Sequence, residues 1–383
     1  MQNNQKIPEG WSVKKLKTCL SLLKDGTHGT HVDVSYGVIL LSAKDVVNGQ
    51  IIFSEEVRKI SLNDFNSLHK NYHIQNDDVV LTIVGTIGRC AIIKNYDNNY
   101  TFQRSVAILR PNKEITSKYL FSYIQGNSFQ KELLKRQSIS AQPGVYLDDL
   151  SKISLLLPPL PEQEKIALVL GTWDEAIEKL SGLIEQKKLL KKGLMQKLIY
   201  TRTNATKYKV ADLFELGRGR VISKNEIDTH QGVFPVYSSQ TSDNGILGYI
   251  NTYDFQGEYI TWTTDGANAG EVFYRNGKFN CTNVCGTAKA KEKNVNLYYA
   301  MSFLNHVSKK YVSYVGNPKL MNGVFAIIPL ILPDIEIQNK VAAILSTADD
   351  EINLLNQKLK ALQEQKKGLM QQLLTGQIRV KGN

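Results

Sequence analysis

The sequence predicts an α+β fold in which two β-rich domains are each followed by a long helix, and the two helices pair as a coiled coil. Two observations predict it. Residues 158–199 match residues 333–374 without a gap, 175 positions apart. Between these copies, short β-rich runs alternate with Gly, Asn and Asp, which is typical of strands joined by turns.

The first β-rich domain is predicted over residues 1–157. Its strand-like runs are YGVILLSAKDV, DDVVLTIVGTIGRCAII and SVAILRP, while KYLFSYI (118–124) reads as a short helix. The second domain is predicted over residues 208–332, with strand-like EYITWTTDG and AGEVFYRNGKF and helical LYYAMSFL. The two domains resemble each other only loosely, for example in AQPG (141–144) and GNPK (316–319).

Each repeat copy predicts one long helix, the first over 158–200 and the second over 333–376. Apolar residues recur in a seven-residue pattern over about five heptads, and prolines precede each pattern without interrupting it. A helix of about 38 residues would be roughly 57 Å long. Its apolar stripe needs a partner, either the other copy or the helix's own domain. The remaining segments are a loop at 201–207 and a tail at 377–383.

Composition indicates a soluble globular protein with a polyanionic partner. The 383 residues are 42% hydrophobic and 22% charged, no run of about 18 apolar residues occurs, and four cysteines form no disulfide framework. We therefore expect a cytoplasmic protein without a membrane partner. The net charge of +11 favours nucleic acid, with a basic protein that has no such partner as the alternative.

Motifs for catalysis, metals and cofactors are incomplete. Gly217-Arg218-Gly219 lacks the third glycine of a dinucleotide fingerprint and reads as a turn, and no phosphate-binding loop or Asn-Pro-Pro-aromatic methyltransferase motif occurs. Cys281 and Cys285, even with His306, fall short of a zinc site. His69 and His73 have no acidic partner and read as a surface pair. The sequence thus predicts no catalytic residue, metal or cofactor.

Loops rich in Gly, Ser, Thr, Asn and Gln recur beside the strands of both domains. Such side chains suit hydrogen bonds to phosphates and base edges, although turn chemistry explains any one loop alone. Repetition of the loops in a basic chain favours DNA contact. The candidate DNA-binding residues are Thr27, His28, Lys44, Thr86, Gln103, Arg104, Gln142, Ser239, Gln240, Thr264, Asp265, Asn283, Asn317 and Lys319.

Five long motifs, in order along the whole chain, resemble those of the DNA specificity (S) subunits of type I restriction-modification enzymes. They are IPEGWSVKKL, PPLPEQEKIALVL, FPVYSSQTSDNGILGYI, EYITWTTDGANAGEVFY and GNPKLMNGVFAIIPLILPDIEIQNKVAAIL. The resemblance implies two target recognition domains, each reading one part of a split DNA sequence. It also implies that the helices pair as an antiparallel coiled coil with pseudo-two-fold symmetry.

The resemblance further implies a non-catalytic chain with several partners. These would be double-stranded DNA, two methyltransferase (M) subunits that carry S-adenosylmethionine and methylate adenine, and restriction (R) subunits held through M. The candidate M-binding residues, for which coiled-coil core is an equal alternative, are Leu190, Leu194, Met195, Leu369 and Met370. The second helix opens with PDIEIQNK rather than PPLPEQEK, and no tandem four-residue inserts follow the first helix, so a short DNA spacer is expected.

Two other function classes stay open at this point. One is a nucleic-acid enzyme acting alone, and the other is a stand-alone DNA-binding or structural coiled-coil scaffold without modification partners. The six residues KKGLMQ, which begin at Lys191 and again at Lys366, end the shared pattern of both helices. Because glycine inside a helix costs roughly 1 kcal/mol relative to alanine, Gly193 and Gly368 predict the close approach of another helix, either the other copy or a methyltransferase helix.

Overall fold

The computed structural model describes residues 7–138, 143–200, 205–240 and 242–380, without the side chains of residues 199, 200 and 242. The chain forms two compact units, described separately below. Unit 1 comprises Met1–Ser181 and Lys358–Asn383, and unit 2 comprises Gly182–Gln357. Within the described residues, no helix is both long and apolar enough to cross a membrane.

Unit 1 contains eleven described strands and four short helices before the first long helix. The strands are β1 Ser12–Lys15, β2 Leu20–Asp25, β3 Val38–Leu41, β4 Val46–Val47, β5 Gln50–Ile51, β6 Lys59–Ile60, β7 Val79–Thr82, β8 Cys90–Ile92, β9 Tyr100–Phe102, β10 Val106–Pro111 and β11 Ser154–Leu157. The helices are α1 Leu62–Leu68, α2 Ser117–Gln125, α3 Asn127–Lys135, α4 Leu147–Ser151 and α5 Leu160–Tyr200, the last of which continues into unit 2.

Unit 2 repeats this plan with ten described strands. They are β12 Thr206–Lys209, β13 Phe214–Arg218, β14 Gln231–Tyr237, β15 Ile246–Ile250, β16 Phe255–Gln256, β17 Tyr259–Thr263, β18 Val272–Arg275, β19 Lys278–Cys281, β20 Cys285–Ala290 and β21 Pro329–Leu332. The helices are α6 Val210–Leu213, α7 Lys224–Thr229, α8 Leu297–Val307, α9 Asn322–Ala326 and α10 Ile335–Leu374, the last of which ends in unit 1.

The sheets of the two units share one topology. A four-stranded sheet has the order β2-β10-β7-β8 in unit 1 and β13-β20-β17-β18 in unit 2. A second sheet contains the parallel pair β3 and β9 in unit 1, and the parallel pair β14 and β19 in unit 2. The two-stranded sheets β1-β11 and β12-β21 lead into the long helices. The loose sequence likeness of the two domains therefore conceals the same strand connections.

The long helices begin two residues later than predicted, at Leu160 and Ile335. In each unit a strand ends directly before the proline-containing entry to the helix, as the fixed φ and missing N–H of proline favour. Strand β12 begins at Thr206, inside the predicted loop 201–207, of which residues 201–204 lie outside the described residues. The domain boundaries themselves stay a prediction.

Within each unit the two helices run antiparallel. In unit 2, Lys187 contacts Glu351 at 2.7 Å and Lys191 contacts Asp349 at 2.5 Å. The residue number on α10 therefore falls as the residue number on α5 rises, which is the antiparallel arrangement. In unit 1, Lys366 contacts Asp174. Lys191 and Lys366 are equivalent positions of the 175-residue repeat, and so are Asp174 and Asp349. The same ion pair therefore forms once in each unit, with the lysine on α5 in unit 2 and on α10 in unit 1. The α+β prediction with antiparallel paired helices is confirmed.

The apolar stripe of each helix serves two purposes. At the start of α5, Ile166 and Leu170 are fully buried in the core of unit 1, and Val341 and Leu345 at the start of α10 are buried in the core of unit 2. Both predicted partners of the stripe, the other helix and the helix's own domain, are therefore used.

A buried glutamine ties each domain to its helix by the same hydrogen bonds. Gln163 accepts from the backbone N–H of Thr116 at 3.0 Å and donates to Pro158 O at 3.0 Å. Its repeat equivalent Gln338 accepts from the backbone N–H of Asn296 at 2.9 Å and donates to Pro333 O at 2.8 Å. Since buried amides cost free energy unless hydrogen-bonded, these contacts favour one docking geometry.

The predicted tail is packed as far as residue 380. Arg379 donates to both carboxylate oxygens of Glu162, at 2.7 and 2.8 Å, and Trp11 Nε1 donates to the same carboxylate at 3.0 Å. Burial acts to raise the pKa of Glu162, but the hydrogen bonds from Arg379 and Trp11 outweigh it and leave the pKa lowered.

We expect Arg379→Met to lower the free energy of unfolding by about 2 kcal/mol near neutral pH, because it leaves a buried carboxylate without its cation. A carboxyl whose folded-state pKa is lowered stabilises the fold above its unfolded-state pKa, and this contribution disappears as the pH falls through the folded-state pKa. The difference between wild type and variant in urea titrations should therefore shrink under acid conditions. A difference that is independent of pH would contradict this account.

The predicted surface pair His69 and His73 is wrong for His69. The His69 ring is 2% exposed, and its Nε2 lies 2.9 Å from Thr101 Oγ1. Burial lowers its pKa. Helical spacing alone could not reveal this, because the strand that covers His69 lies 32 residues away in sequence.

Candidate nucleic-acid interface

Five loops come together in unit 1 at the ends of the sheet strands. They are loop A (26–31), loop B (42–45), loop C (83–88), loop D (103–105) and loop E (138–144), and residues 139–142 of loop E lie outside the described residues. Loop A meets loop D where Thr27 N donates to Phe102 O at 2.8 Å and Arg104 N donates to Thr27 O at 3.0 Å. Gln103 N donates to Leu41 O at 2.8 Å, which brings loop D to loop B.

Unit 2 has the same five loops, held by equivalent hydrogen bonds. They are loop A (219–222), loop B (238–245), loop C (264–270), loop D (282–284) and loop E (313–319), and residue 241 of loop B lies outside the described residues. Arg220 N donates to Cys281 O at 3.1 Å, where Thr27 donates to Phe102 in unit 1. Thr282 N donates to Tyr237 O at 2.8 Å, as Gln103 N does to Leu41.

Loops C and E are joined in both units. In unit 1, Val145 N donates to Ile83 O at 2.8 Å, and in unit 2, Leu320 N donates to Thr264 O at 2.9 Å. An isolated bridge pairs Val84 with Gly144 in the one and Asp265 with Lys319 in the other. We call these five loops of each unit the loop cluster.

A glycine without room for a side chain begins loop A in each unit. A Cβ on Gly26 would lie within 3.0 Å of the carbonyl oxygens of Phe102 and Gln103, and a Cβ on Gly219 would lie equally close to those of Cys281 and Thr282. Real Cβ atoms do not approach so closely. Only glycine therefore lets loop A approach loop D in this way.

Every predicted DNA-binding residue that the structure describes lies in a loop cluster. Two pairs of predicted residues occupy equivalent positions in the two units: Lys44 corresponds to Gln240, and Arg104 corresponds to Asn283. The 175-residue repeat does not align either pair. Of the set, Gln142 lies outside the described residues. The residues with exposed side chains are His28, Lys44, Thr86, Arg104, Asn283, Asn317 and Lys319.

In the unit 1 cluster, two histidines are held by neighbours. His28 Nε2 lies 2.5 Å from Asp25 Oδ2, and His31 Nε2 lies 2.7 Å from Thr27 Oγ1. Arg104 stays exposed at the tip of loop D. This arrangement offers a basic donor beside two imidazoles, which suits phosphate or base-edge contacts.

In the unit 2 cluster, Asp265 is the centre of a polar network. Its carboxylate accepts from Thr264 Oγ1 at 2.8 Å and from Arg218 at 3.3 Å, and Lys319 lies 4.0 Å away. Thr264 itself is fully buried. This corrects its predicted role: the hydroxyl orients Asp265 from beneath the surface and is not free to meet DNA.

Sequence reasoning missed Arg218 and Arg220, which flank Gly219. Arg218 Nε donates to Asn283 O at 2.5 Å and so joins loop D to Asp265. Arg220 pairs with Glu226 at 2.5 Å and with Asp254 at 3.0 Å. The signal was present in GRGR, two arginines around a glycine directly after a strand, but the segment was interpreted as a turn only.

The cysteines at the base of loop D in unit 2 are buried and adjacent. A hydrogen bond to Cys285, together with burial, raises the pKa of Cys281, while the same hydrogen bond outweighs burial and lowers the pKa of Cys285, with smaller contributions from Thr282 and Arg275. Within the described ranges, no group of three or more His, Cys, Asp or Glu side chains could hold a metal ion.

Four of the five predicted M-binding residues are used inside their own units. Leu194 and Met195 pack against the core of unit 2, and Leu369 and Met370 pack against the core of unit 1. Leu190 alone stays exposed, at 57%. These four side chains stay partly exposed, so their packing favours the coiled-coil-core alternative while M binding stays a prediction.

The glycines of KKGLMQ do not face the partner helix. A Cβ on Gly193 or on Gly368 would meet no described atom of the chain within 4 Å, apart from nearby backbone of its own helix. Among the described residues, the other long helix therefore makes no close approach to these glycines, and approach by a methyltransferase helix stays a prediction. The first lysine of the repeat, Lys191 or Lys366, forms an ion pair with the opposite helix.

We expect Arg104→Ala to weaken DNA binding by about 1–3 kcal/mol and to relax discrimination at one base pair if Arg104 reads a base. Competition titrations with single base-pair variants of the target would measure this. A loss that is uniform over all sequences would identify a phosphate contact instead. Lys70→Ala, an exposed cation outside the loop cluster, is the matched control.

Comparison with known proteins agrees with this architecture. Residues 8–187 and 203–364 match the family model of the type I restriction modification DNA specificity domain. A putative type I specificity subunit of Mycoplasma pneumoniae is 42% identical over 205 residues, which are 51% of this chain and 81% of that protein. The N-terminal part of another from the same organism is 49% identical over 141 residues, covering 37% of this chain and 75% of that protein.

A solved structure shows the same fold. The crystal structure of the type I restriction-modification system S subunit from M. genitalium superposes with a TM-score of 0.64 at 16% identity and covers 97% of each chain. With the family match over most of the sequence, the predicted resemblance is confirmed: this chain belongs to the DNA specificity subunits of type I restriction-modification systems.

Proposed function

We propose that each loop cluster reads one half of a split DNA target, that the paired helices set the distance between the halves, and that the chain docks two M subunits and, through them, R subunits. The chain itself would catalyse no reaction. Methyl transfer and cleavage would belong to the M and R subunits.

The observation that carries this proposal is the repetition of one loop framework with different side chains. One backbone hydrogen bond between loop A and the strand before loop D, one from loop D to the strand before loop B, and one between loops C and E recur in both units, whereas Thr27 is replaced by Arg220, Lys44 by Gln240, and Arg104 by Asn283. A constant backbone with variable hydrogen-bonding side chains is what two readers of different sequences require, because base identity is read through side-chain donors and acceptors.

The helices support the spacing and docking roles. Beyond the core-packed positions, Leu189 and Leu190 on α5 are 68% and 57% exposed, next to the open surface at Gly193. The equivalent positions on α10 are Glu364 and Gln365. We therefore expect two M subunits to contact different side chains at the two repeat positions, with Leu190 important at one of them only.

The experiment that tests the proposal is methylation mapping. DNA from cells that carry this chain with its M partner is sequenced for methylated adenines, with cells lacking the chain as control. A target of two short specific parts separated by a nonspecific gap is expected. A continuous, unsplit target would contradict the two-reader proposal, and methyl transfer by the purified chain alone would favour the alternative of an enzyme acting alone.

A further inference from the structure

Loop E of unit 2 is a tight hairpin with an apolar tip. Ser313 and Lys319 exchange two backbone hydrogen bonds, each 2.9 Å long, which close a loop of the five residues 314–318. Gly316 turns the chain with φ of 74°. Short hairpins closed in this way hold their tips at a defined place on the domain.

The side chains at this tip point into solvent. Tyr314 is 68% exposed and Val315 is 91% exposed. Isolated exposed apolar residues are common, but an aromatic and a β-branched residue side by side on a hairpin tip form a small apolar point. Transfer of these two side chains from water to an apolar environment lowers the free energy, because their apolar surface is removed from water.

The tip belongs to the loop cluster. Gly266 N donates to Pro318 O at 2.9 Å, and Lys319 pairs with Asp265 in an isolated bridge. The hairpin therefore lies directly beside the polar network of Asp265 and Arg218, among the side chains that we propose to face DNA.

The charges around the tip favour a nucleic acid over a protein partner. The segment is KKYVSYVGNPK from Lys309 to Lys319, so lysines flank the apolar residues in the sequence, and Lys309 is paired with Glu271 at 2.6 Å. Lys319 is half exposed. Lysines can hold the phosphates on either side of a base step while aromatic or branched side chains press between its bases, a combination that proteins use to kink DNA.

Resting on the proposed function, we propose that Tyr314 and Val315 form a wedge that partly unstacks one base step in or beside the half-target of the second domain. Such a wedge contributes sequence preference without hydrogen bonds, because base steps differ in the cost of unstacking. The equivalent of Tyr314 in the first domain is Ile139, 175 residues earlier in sequence, which lies outside the described residues.

The test uses the chain assembled with its M subunits and duplexes of the mapped target, each carrying 2-aminopurine at one position of the second half-target. For the wild type we expect a rise in 2-aminopurine fluorescence at one base step. The double variant Tyr314→Ser with Val315→Ser should lose that rise and bind about tenfold more weakly. Tyr314→Trp should retain the rise, and Leu354→Ala, an exposed apolar residue on α10, is the control.

The possible outcomes distinguish failure of the wedge from failure of the proposed function. If the double variant binds with wild-type affinity and gives the same fluorescence rise, the wedge is overturned while the proposed function stands. If it loses M subunits and keeps its DNA contacts in the remaining complex, the tip is a protein-binding surface and the wedge is also overturned. If the wild-type complex discriminates no sequence, both the wedge and the proposed function fail. Because both side chains are exposed, the urea midpoint should not change.

Discussion

Gly26→Ala should destroy reading of one half-target and leave the other intact. The added methyl group would lie within 3.0 Å of the backbone carbonyls of Phe102, at the end of β9, and Gln103, in loop D, a clash that side-chain motion cannot relieve. Loops A and D must then separate, at a cost of about 3 kcal/mol for a backbone shift in packed surroundings. Thr27, Gln103 and Arg104 would lose their mutual arrangement, and with it the hydrogen-bond geometry that discrimination needs.

The experiment compares duplexes in which only one half of the mapped target is altered. For Gly26→Ala, we expect base-pair changes in the half-target of the first domain to have no effect on binding affinity. Discrimination among base pairs in the other half-target should persist. Gly219→Ala should give the mirror-image result, because its Cβ meets the equivalent carbonyls of Cys281 and Thr282.

A matched control is available in the same unit. Gly171 lies on α5, and an added Cβ would meet no described atom within 4 Å beyond nearby backbone of its own helix, so Gly171→Ala should stabilise the chain by roughly 0.5–1 kcal/mol through helix propensity alone. If Gly26→Ala instead bound and discriminated like the wild type, the close approach of loops A and D would have no part in recognition.

Inserting one heptad into both long helices should abolish binding to the wild-type target, with the largest loss of any change considered. Seven residues are placed after Ser181 in α5 and after Gln357 in α10, the positions at which each helix passes from one unit to the other. A heptad keeps the apolar pattern in register, so the ion pairs Lys191 with Asp349 and Lys366 with Asp174 can still form.

The expected shift follows from helix geometry under the proposed function. Seven residues at 1.5 Å each add about 10.5 Å, close to three base pairs of B-form DNA at 3.4 Å each. Binding to the old target should fall by more than about a hundredfold, because one half no longer reaches its reader. Selection from randomised spacers should return the same two half-sequences with a gap about three base pairs longer.

One control insertion and one measured outcome test this prediction. A heptad inserted in α5 alone breaks the antiparallel register and should destabilise the chain, which urea unfolding would detect. A recovered gap equal to the wild-type gap would contradict the proposal that the paired helices measure the distance between half-targets.

The local sequence predicted the long helices well. Their seven-residue period and the prolines before them are signals within one segment, so both helices were placed within two residues of their observed starts. The repeat also predicted equivalent positions, and the exchanged pairs of Lys191 with Asp349 and Lys366 with Asp174 lie at such positions. What it did not reveal was that lysine, rather than glycine, makes the contact within KKGLMQ.

The sequence predicted the individual loops but not which loops contact one another. Composition marked loop A and loop D as polar turns, but their contact joins Thr27 to Gln103 across 76 positions and depends on strand pairing that no local pattern specifies. For the same reason Arg218 was read as part of a turn, and Thr264 as an exposed reader although it is buried. The burial of His69 and the core packing of Met195 likewise depend on segments that are distant in the sequence.

By itself, the sequence determined the duplication, the two long helices, the basic balance and the family, because each of these is written in residues close together or in long ordered motifs. Only the tertiary structure decided which loops meet, which glycine is irreplaceable and which apolar side chains remain exposed at Leu190, Tyr314 and Val315. The physical reason is that burial and backbone pairing are set by segments far apart in the chain, so they exist only once the chain has folded.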